Sequence, residues 1–389
     1  MQFIRRHRIF TTLFALVIAF SMIVGVSLVT YIFDHPGDSV QQNVAAWARN
    51  NHMGAVVDKL EEWLKADPPS TEAATELGLE INNGAGETVT STTIATPTVP
   101  NPQNKLINNR SKPTAVTPVV APALAGEGEW VSFAELRGEP IAYATSFRPF
   151  ADFASVVASA VVIDQSKVTA GLFNGNELPG GTWNNGSRIM KAAVPSLLLA
   201  FNGGFRFEHH QGGYFTEGKM LKPLREDQAT FAIDHAGFAT VGVLGRDLFD
   251  DGSWKTLRQN LPPMLMNGEI SLEEFRDTHW GNDYGKVIYT FRSATCLRND
   301  GRLLFAVAGD VDIDMFADIL KTLDCLTAMQ LDINGTWPQA TTYSGFGTTD
   351  RQGTVLDRRM KNVNRYLNKS AKDFFAFFDT ATLPPGLVK

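Results

Sequence analysis

Cysteine is scarce in this chain of 389 residues, which has only two. A four-thiolate zinc site and a disulfide-rich scaffold are therefore excluded. There is no basic excess either: 35 Lys and Arg against 41 Asp and Glu leave a formal net charge of −6. A general nucleic-acid-binding role, which rests on a basic patch, is disfavoured. No internal repeat is visible, and no motif calls for a cofactor. What is present is an ordinary apolar fraction of 44%, enough for a sizeable core, so global disorder is ruled out. The length allows two or three domains, or one large domain with appendages.

One long run lacks charge altogether. Residues 9–33 carry no charged side chain, and about 20 apolar residues span a bilayer as a helix. Arg5, Arg6, His7 and Arg8 precede the run, and Asp34 and Asp38 follow it. By the positive-inside rule the N-terminus stays in the cytoplasm and the remainder lies outside. The alternative is a cleaved signal peptide, but the run is long for one and no clean small-x-small site follows. We read it as a single-pass signal anchor, residues 1–33, in a cell envelope. The exterior location would permit a disulfide.

Beyond the anchor, Val40, Val44 and Trp47, then Val56, Val57, Leu60, Trp63 and Leu64, recur at three- and four-residue steps until Pro68-Pro69. This predicts an amphipathic helical stem over 34–81. It could pack on the main domain, self-associate or lie on the membrane, and simple packing is favoured. Over 82–128, Pro97, Pro100, Pro102, Pro113, Pro118 and Pro122 sit among Thr, Ser, Asn and Ala, which predicts a disordered linker. Residues 129–389 form the domain proper. Strand-like runs at 155–163, 196–201, 230–233 and 287–295, with a clear helix only at 313–323, predict an α+β or mixed α/β fold. Its large mixed sheet would carry flanking helices.

One segment permits geometric inference. Residues 287–296 read as a strand, Asn299-Asp300-Gly301 as a tight turn and 303–308 as the returning strand. With Asp300-Gly301 as a two-residue loop, Arg292 falls opposite Gly309, beside Asp310. The helix at 313–323 then leads to a strand at 327–331, parallel to the returning one, in a β–α–β unit. Gly309, Asp310, Asp332 and Asn334 would all follow strand carboxyl ends, where open sheets bind ligands. Asn202 follows another strand, with Gly203-Gly204 next to allow close approach of a ligand. These polar residues either converge on a ligand or merely cap loops. Cys296 and Cys325 could be neighbours at the opposite end, as a disulfide or as two separate buried thiols.

The motifs also carry a resemblance. Asn202-Gly203-Gly204-Phe205, then Gly212-Gly213-Tyr214 and Glu217-Gly218-Lys219, form one block. Arg292-Ser293-Ala294, Asp300-Gly301-Arg302-Leu303-Leu304 and Ala328-Met329-Gln330-Leu331-Asp332 form a second. In order and spacing the chain resembles the phosphodiester glycosidase family over about residues 130–380. Where that family usually reads L-D-G-G-G-S, this chain has Leu331-Asp332-Ile333-Asn334-Gly335-Thr336, with Trp337 next. The D-I-N variant resembles a bacterial, membrane-anchored subgroup. Gly309-Asp310 reverses a family D-G.

The resemblance implies cleavage of a sugar phosphodiester at its anomeric carbon. A phosphate monoester leaves easily, so the needs are charge stabilisation on phosphate and a carboxylate facing the sugar carbon. Arg292 is the candidate for phosphate, because a guanidinium can bind it bidentately. Asp332 is the first candidate for nucleophile or base, and Asp310 the second. Asn202 and Asn334 would orient hydroxyls, Gly203, Gly204 and Phe205 would border the ligand, and Trp337 would either stack on sugar or pack in the core. Glu208-His209-His210 lacks the four-residue spacing of helical zinc motifs, so no metal site is expected and His210 is a candidate ligand contact. Arg246-Asp247 and Arg258-Gln259-Asn260 are expected near the cleft, and Asp312 and Asp314 as acids at a helix start.

The expected partners are a glycan or sugar-phosphate substrate and the membrane, with no nucleic acid, no cofactor and oligomeric state open. A glycosidase-like enzyme is the leading reading. A non-catalytic protein binding exopolysaccharide or another envelope glycan is the second, and a scaffold for an envelope complex the third.

Overall fold

The computed structural model describes residues 2–63, 67–79, 111–280, 288–344 and 351–389. Four α-helices are seen among these: α1 (Gln2–Asp34), α2 (Val40–Asn50), α3 (Gly54–Trp63) and α4 (Ile313–Thr322). The other regular elements are strands and short 3₁₀ turns, so the expected α+β class stands. An eight-stranded sheet runs in the order Val131–Leu136, Glu139–Phe147, Ala158–Ile163, Leu303–Val311, Thr290–Arg298, Cys325–Ile333, Leu265–Met266 and Glu269–Ile270. A first five-stranded sheet contains Tyr214–Thr216, Ala229–Asp234 and Trp254–Gln259, and a second contains Leu197–Asn202, Ala340–Ser344 and Phe374–Asp379.

The large sheet is buried on both faces. One face meets α4 and its surroundings through Ala294, Cys296, Phe316, Ile319 and Leu320. The other shares a core with both smaller sheets. Phe201 shows how. Its ring lies 4.8 Å from Phe305 of the large sheet, 6.3 Å from Phe231 of the first small sheet and 5.6 Å from Phe375 of its own. Strands buried on both sides read as continuous apolar runs rather than alternating ones, as in Phe374–Asp379.

The sheet is not mixed as expected, because every pairing between its strands is antiparallel. The predicted β–α–β unit exists in split form. Helix α4 carries the chain from Leu303–Val311 to Cys325–Ile333 over the intervening Thr290–Arg298, which pairs antiparallel with both. The hairpin register is also one residue off. Arg292 lies opposite Ala308, not Gly309, because the loop has three residues, 299–301, and ends on Gly301 at φ +78°. That is a bulged hairpin turn, not a two-residue one.

Residues 111–128 correct the linker. They lie against the domain, held largely by their own backbone carbonyls. Buried Arg148 donates to the carbonyls of Val120 (3.2 Å) and Pro122 (2.7 Å) and pairs with Glu127 at 2.6 Å. Arg302 donates to Ser111 O and the Trp130 indole to Thr114 O. Composition misleads here because such a segment needs no secondary structure of its own when arginines satisfy its carbonyls. The rest of the predicted linker, 82–110, lies outside the described residues.

Cys296 and Cys325, 29 positions apart in sequence, form a disulfide with Cα atoms 5.7 Å apart. It ties two neighbouring strands of the large sheet, where Arg298 is opposite Cys325. Closing a loop of this length should contribute about 2–4 kcal/mol. Cys296→Ala/Cys325→Ala should lower the unfolding free energy by that amount in a denaturant titration; an unchanged midpoint would contradict it.

Candidate active site

The Asn202-Gly203-Gly204-Phe205 turn sits where the three sheets meet. Asn202 is buried: its amide donates to Ser293 Oγ (3.0 Å) and Gly203 O (2.9 Å), and its side-chain oxygen accepts from Gln339 N at 2.9 Å. Ser293 in turn donates to Asp332 O at 2.7 Å. Asn202 therefore braces the strand end that presents Asp332.

The glycines are required by close approach. A Cβ on Gly203 would fall 2.6 Å from the Asp373 carboxylate. One on Gly204 would fall 3.0 Å from the Asn260 side chain and 3.1 Å from the Arg258 guanidinium. Arg258 and Asp373 are both fully buried and pair at 2.9 Å. Arg258 also donates to Phe205 O at 2.9 Å, and Asn260 accepts from Phe205 N at 3.0 Å while donating to Gln330 O at 2.7 Å. A buried charge left without its partner typically costs about 3–5 kcal/mol, so this pair fixes the turn firmly. Arg258 and Asn260, expected near the cleft, hold its floor in place. Arg246-Asp247 form only a local pair at 2.6 Å and do not line it.

A cleft of about 660 Å³ opens beside this turn. Asp332, Asn334, Trp337, Phe205 and His210 all line it. Asp332 is the penultimate residue of the strand Cys325–Ile333. Its carboxylate is buried, accepts from Ile333 N at 3.2 Å and forms an ion pair with Lys372. Burial lowers the Lys372 ammonium below its ordinary value, while Asp332 opposes that shift. Asn334 follows at φ +77°, a backbone state Asn tolerates better than most residues. Trp337 is largely buried, with Lys372 Nζ 4.7 Å from its ring centre and the Arg365 guanidinium 5.3 Å away.

Arg292 and Asp310 are not brought to this cleft. Arg292 is buried and donates to the carbonyls of Val311 (3.0 Å), Trp280 (2.9 Å) and Ile288 (3.1 Å). Burial pushes its guanidinium down to about 10, with Asp312 and Asp314 opposing, so it stays charged at neutral pH. Its fork binds main chain. Asp310 is exposed at φ +56°, in the bulge that the hairpin register creates. Asp312 caps α4, accepting from Met315 N at 2.8 Å, as its position at a helix start suggested.

Sequence reasoning missed Lys372 and Arg206. Arg206 lines the cleft and pairs with Glu177 at 3.0 Å. The signal for Lys372 was a charged Lys372-Asp373 pair opening an otherwise apolar strand run. The stem was expected to pack on the domain but not to reach the cleft, where Ala45, Ala46, Arg49 and Asp58 form part of the wall. His210 is buried beside Arg258, and burial first, then the Arg258 and Lys222 charges, lowers it to about 2. It is thus a neutral imidazole at working pH.

Residues 196–332 match the phosphodiester glycosidase family. The matched region starts at the strand leading into Asn202 and ends on Asp332. No curated protein matches the chain. Among solved structures, the chain is similar to the zebrafish N-acetylglucosamine-1-phosphodiester alpha-N-acetylglucosaminidase catalytic domain auto-inhibited by its pro-peptide. Identity there is 18%, over 64% of this chain and 87% of that one, with a TM-score of 0.42. A hypothetical protein from Synechocystis is 10% identical, over 61% of this chain and 64% of that one, with a TM-score of 0.34. A putative exported protein from Burkholderia pseudomallei is 11% identical, over 57% and 74%, with a TM-score of 0.32.

Gly203→Ala should destabilise the fold by about 1–3 kcal/mol through overpacking against Asp373. A melting temperature equal to wild type would contradict the close approach. Between pH 6.5 and 2 the unfolded chain binds a proton at His210 that the folded chain refuses. Stability should therefore fall as pH drops through that window, by up to about 1.4 kcal/mol per pH unit from this residue. His210→Gln should flatten the pH dependence of unfolding between pH 6 and 4; an equally steep loss would contradict the assignment.

Proposed function

We propose that this chain hydrolyses a sugar phosphodiester at the anomeric carbon, using the cleft at the end of its phosphodiester glycosidase region. The observation that carries the reading is Asp332, the last residue of the family match, held in the cleft wall by buried Lys372. In this reading Asp332 is the carboxylate facing the sugar carbon, as base for water or as nucleophile. For the base route, water oxygen bonds to the anomeric carbon and the bond from that carbon to the bridging oxygen breaks. The phosphate monoester leaves with the electron pair, and the water proton passes to Asp332.

Lys372 and Arg206 are the cations placed to bind phosphate, which replaces the role first considered for Arg292. Asn334 and the backbone around Gly204 and Phe205 would contact sugar, while Asn202 works through Ser293 by positioning the Asp332 strand. Ile333 and Asn334 stand where the resembled family usually has glycines, and with Trp337 they line the cleft, which favours a substrate of different shape. The apolar helix α1 supports a membrane anchor with the domain on the outer face of a cell envelope. The engagement of Asp332 by Lys372 favours, as second reading, a glycan-binding protein without turnover.

Full-length protein in detergent, incubated with a panel of sugar-1-phosphodiesters, should release free sugar. Asp332→Asn should lower kcat by about 10²–10⁴-fold, and Lys372→Met should lower kcat/KM with the fold intact. Release of sugar 1-phosphate instead, or full activity in Asp332→Asn, would contradict the reading. Glycan binding with no turnover would favour the second.

A further inference from the structure

Helices α2 and α3 have two working faces. One faces the cleft: Ala45, Ala46 and Arg49 of α2 and Asp58 of α3 line it, and Arg49 pairs with Asp58 at 2.6 Å. The other faces α1. Trp47, Ala48 and Val57 pack against Val24, Leu28 and Tyr31 of α1, and the Trp47 indole donates to Ser27 Oγ at 3.1 Å. Ser27 lies seven residues before the end of α1 at Asp34, which is about 10 Å along a helix. The packing surface therefore reaches back along the apolar helix, below its outer end.

Beside that surface, apolar side chains are left uncovered. Val40 is 62% exposed, Val44 40%, Val56 65% and Leu60 53%. Val40 and Val44 are one helical turn apart and share the face of Trp47, and Val56 and Leu60 repeat the spacing on α3. On the cleft-facing side Arg49 and Asp58 are charged and Ala45 and Ala46 are small, and exposed Gln41 and Lys59 flank the apolar stripe. An amphipathic helix with an exposed apolar stripe rests with that face about 5–10 Å into the boundary between headgroups and acyl chains, comparable to the distance of about 10 Å between the Trp47 contact and the end of α1.

The stem is also tied rigidly to the domain next to the reactive residues. Asp38 accepts from Ala371 N at 2.9 Å, immediately before Lys372, and lies 3.4 Å from the Arg365 guanidinium. Gly37 O accepts from Asn362 at 2.6 Å, and the Gln42 amide donates to Thr336 O. Only residues 35–37 separate Asp38 from the end of α1, so the cleft has no slack to move away from the membrane.

We infer that α2 and α3 lie in the outer membrane–water interface and that the cleft beside them takes a sugar phosphodiester whose aglycone is a membrane lipid. This rests on the hydrolase reading and on α1 crossing the bilayer. A lipid-borne phosphodiester would present its sugar at headgroup height, where Arg49, Arg206 and Lys372 bound the cleft, while its acyl part stays beside the exposed valines and Leu60.

The test uses full-length protein in lipid nanodiscs. Single cysteines at Val56→Cys and, as exposed control, Phe249→Cys carry an environment-sensitive fluorophore, the native cysteines being disulfide-bonded. The probe at 56 should be quenched by brominated lipids and the one at 249 should not; equal quenching would overturn the membrane seat. In the second arm, a sugar-1-phosphodiester with a long isoprenoid or alkyl aglycone is compared with its methyl ester. The lipid diester should be preferred by about tenfold or more in kcat/KM, because both partners share one surface. Val44→Lys/Val56→Lys should lose that preference while methyl-ester turnover is unchanged. Equal rates on both diesters in wild type would overturn the lipid substrate with the hydrolase reading intact. Failure on both would overturn the hydrolase reading and the lipid substrate together, whatever the quenching shows.

Discussion

The buried ion pair between Arg258 and Asp373 is the constraint on which the site depends. Arg258 belongs to one five-stranded sheet and Asp373 leads into a strand of the other. Neither charge has any exposure, so the two strands must keep their register or leave a charge uncompensated. The same pair sets the turn between them. Gly203 must be glycine for Asp373 to pass, and Gly204 for Arg258 and Asn260 to pass. Lys372 precedes Asp373 and is carried to Asp332 by the same constraint.

The architecture serves that junction. The large sheet, covered on both faces, supplies a strand that carries Asp332 at its penultimate position. Ser293 of the neighbouring strand fixes the Asp332 carbonyl, and Asn202 fixes Ser293. The carboxylate is thus held by Ile333 N and Lys372 and its main chain by Ser293, while part of the cleft wall comes from the stem. A site made of strand ends is more rigid than one made of loops. Here the parts not built on strand ends are the residues after Asp332 and the two helices that line one side.

Much of this was legible in the sequence, and for a common reason. Asn202, Asp332, Asn334 and Trp337 could be placed near one sheet edge because each stands at or shortly after an apolar strand run, where chain direction alone puts residues at that edge. The helix α4, the hairpin and the neighbouring cysteines were readable from local pattern. Arg292 shows the limit. Its strand was readable, but a buried guanidinium with carbonyls all around it differs from a phosphate-binding one only in three dimensions. Lys372 lies 40 residues beyond Asp332, and the Gln42 contact to Thr336 spans 294 residues. No local pattern reports such pairings. The segment 111–128 failed for the opposite reason: its composition is that of a free linker, and only its arginine partners elsewhere hold it.

The stem bears on what the apolar helix α1 would do as an anchor. A flexible tether would let the domain roam, whereas Asp38 and Gly37 dock within a few residues of α1. The most direct test of the central claim is hydrolysis of a sugar-1-phosphodiester in ¹⁸O-labelled water, with mass analysis of both products. Cleavage at the anomeric carbon places the label in the sugar and none in the phosphate monoester. Label in the phosphate instead would mean attack at phosphorus and would contradict the role given to Asp332.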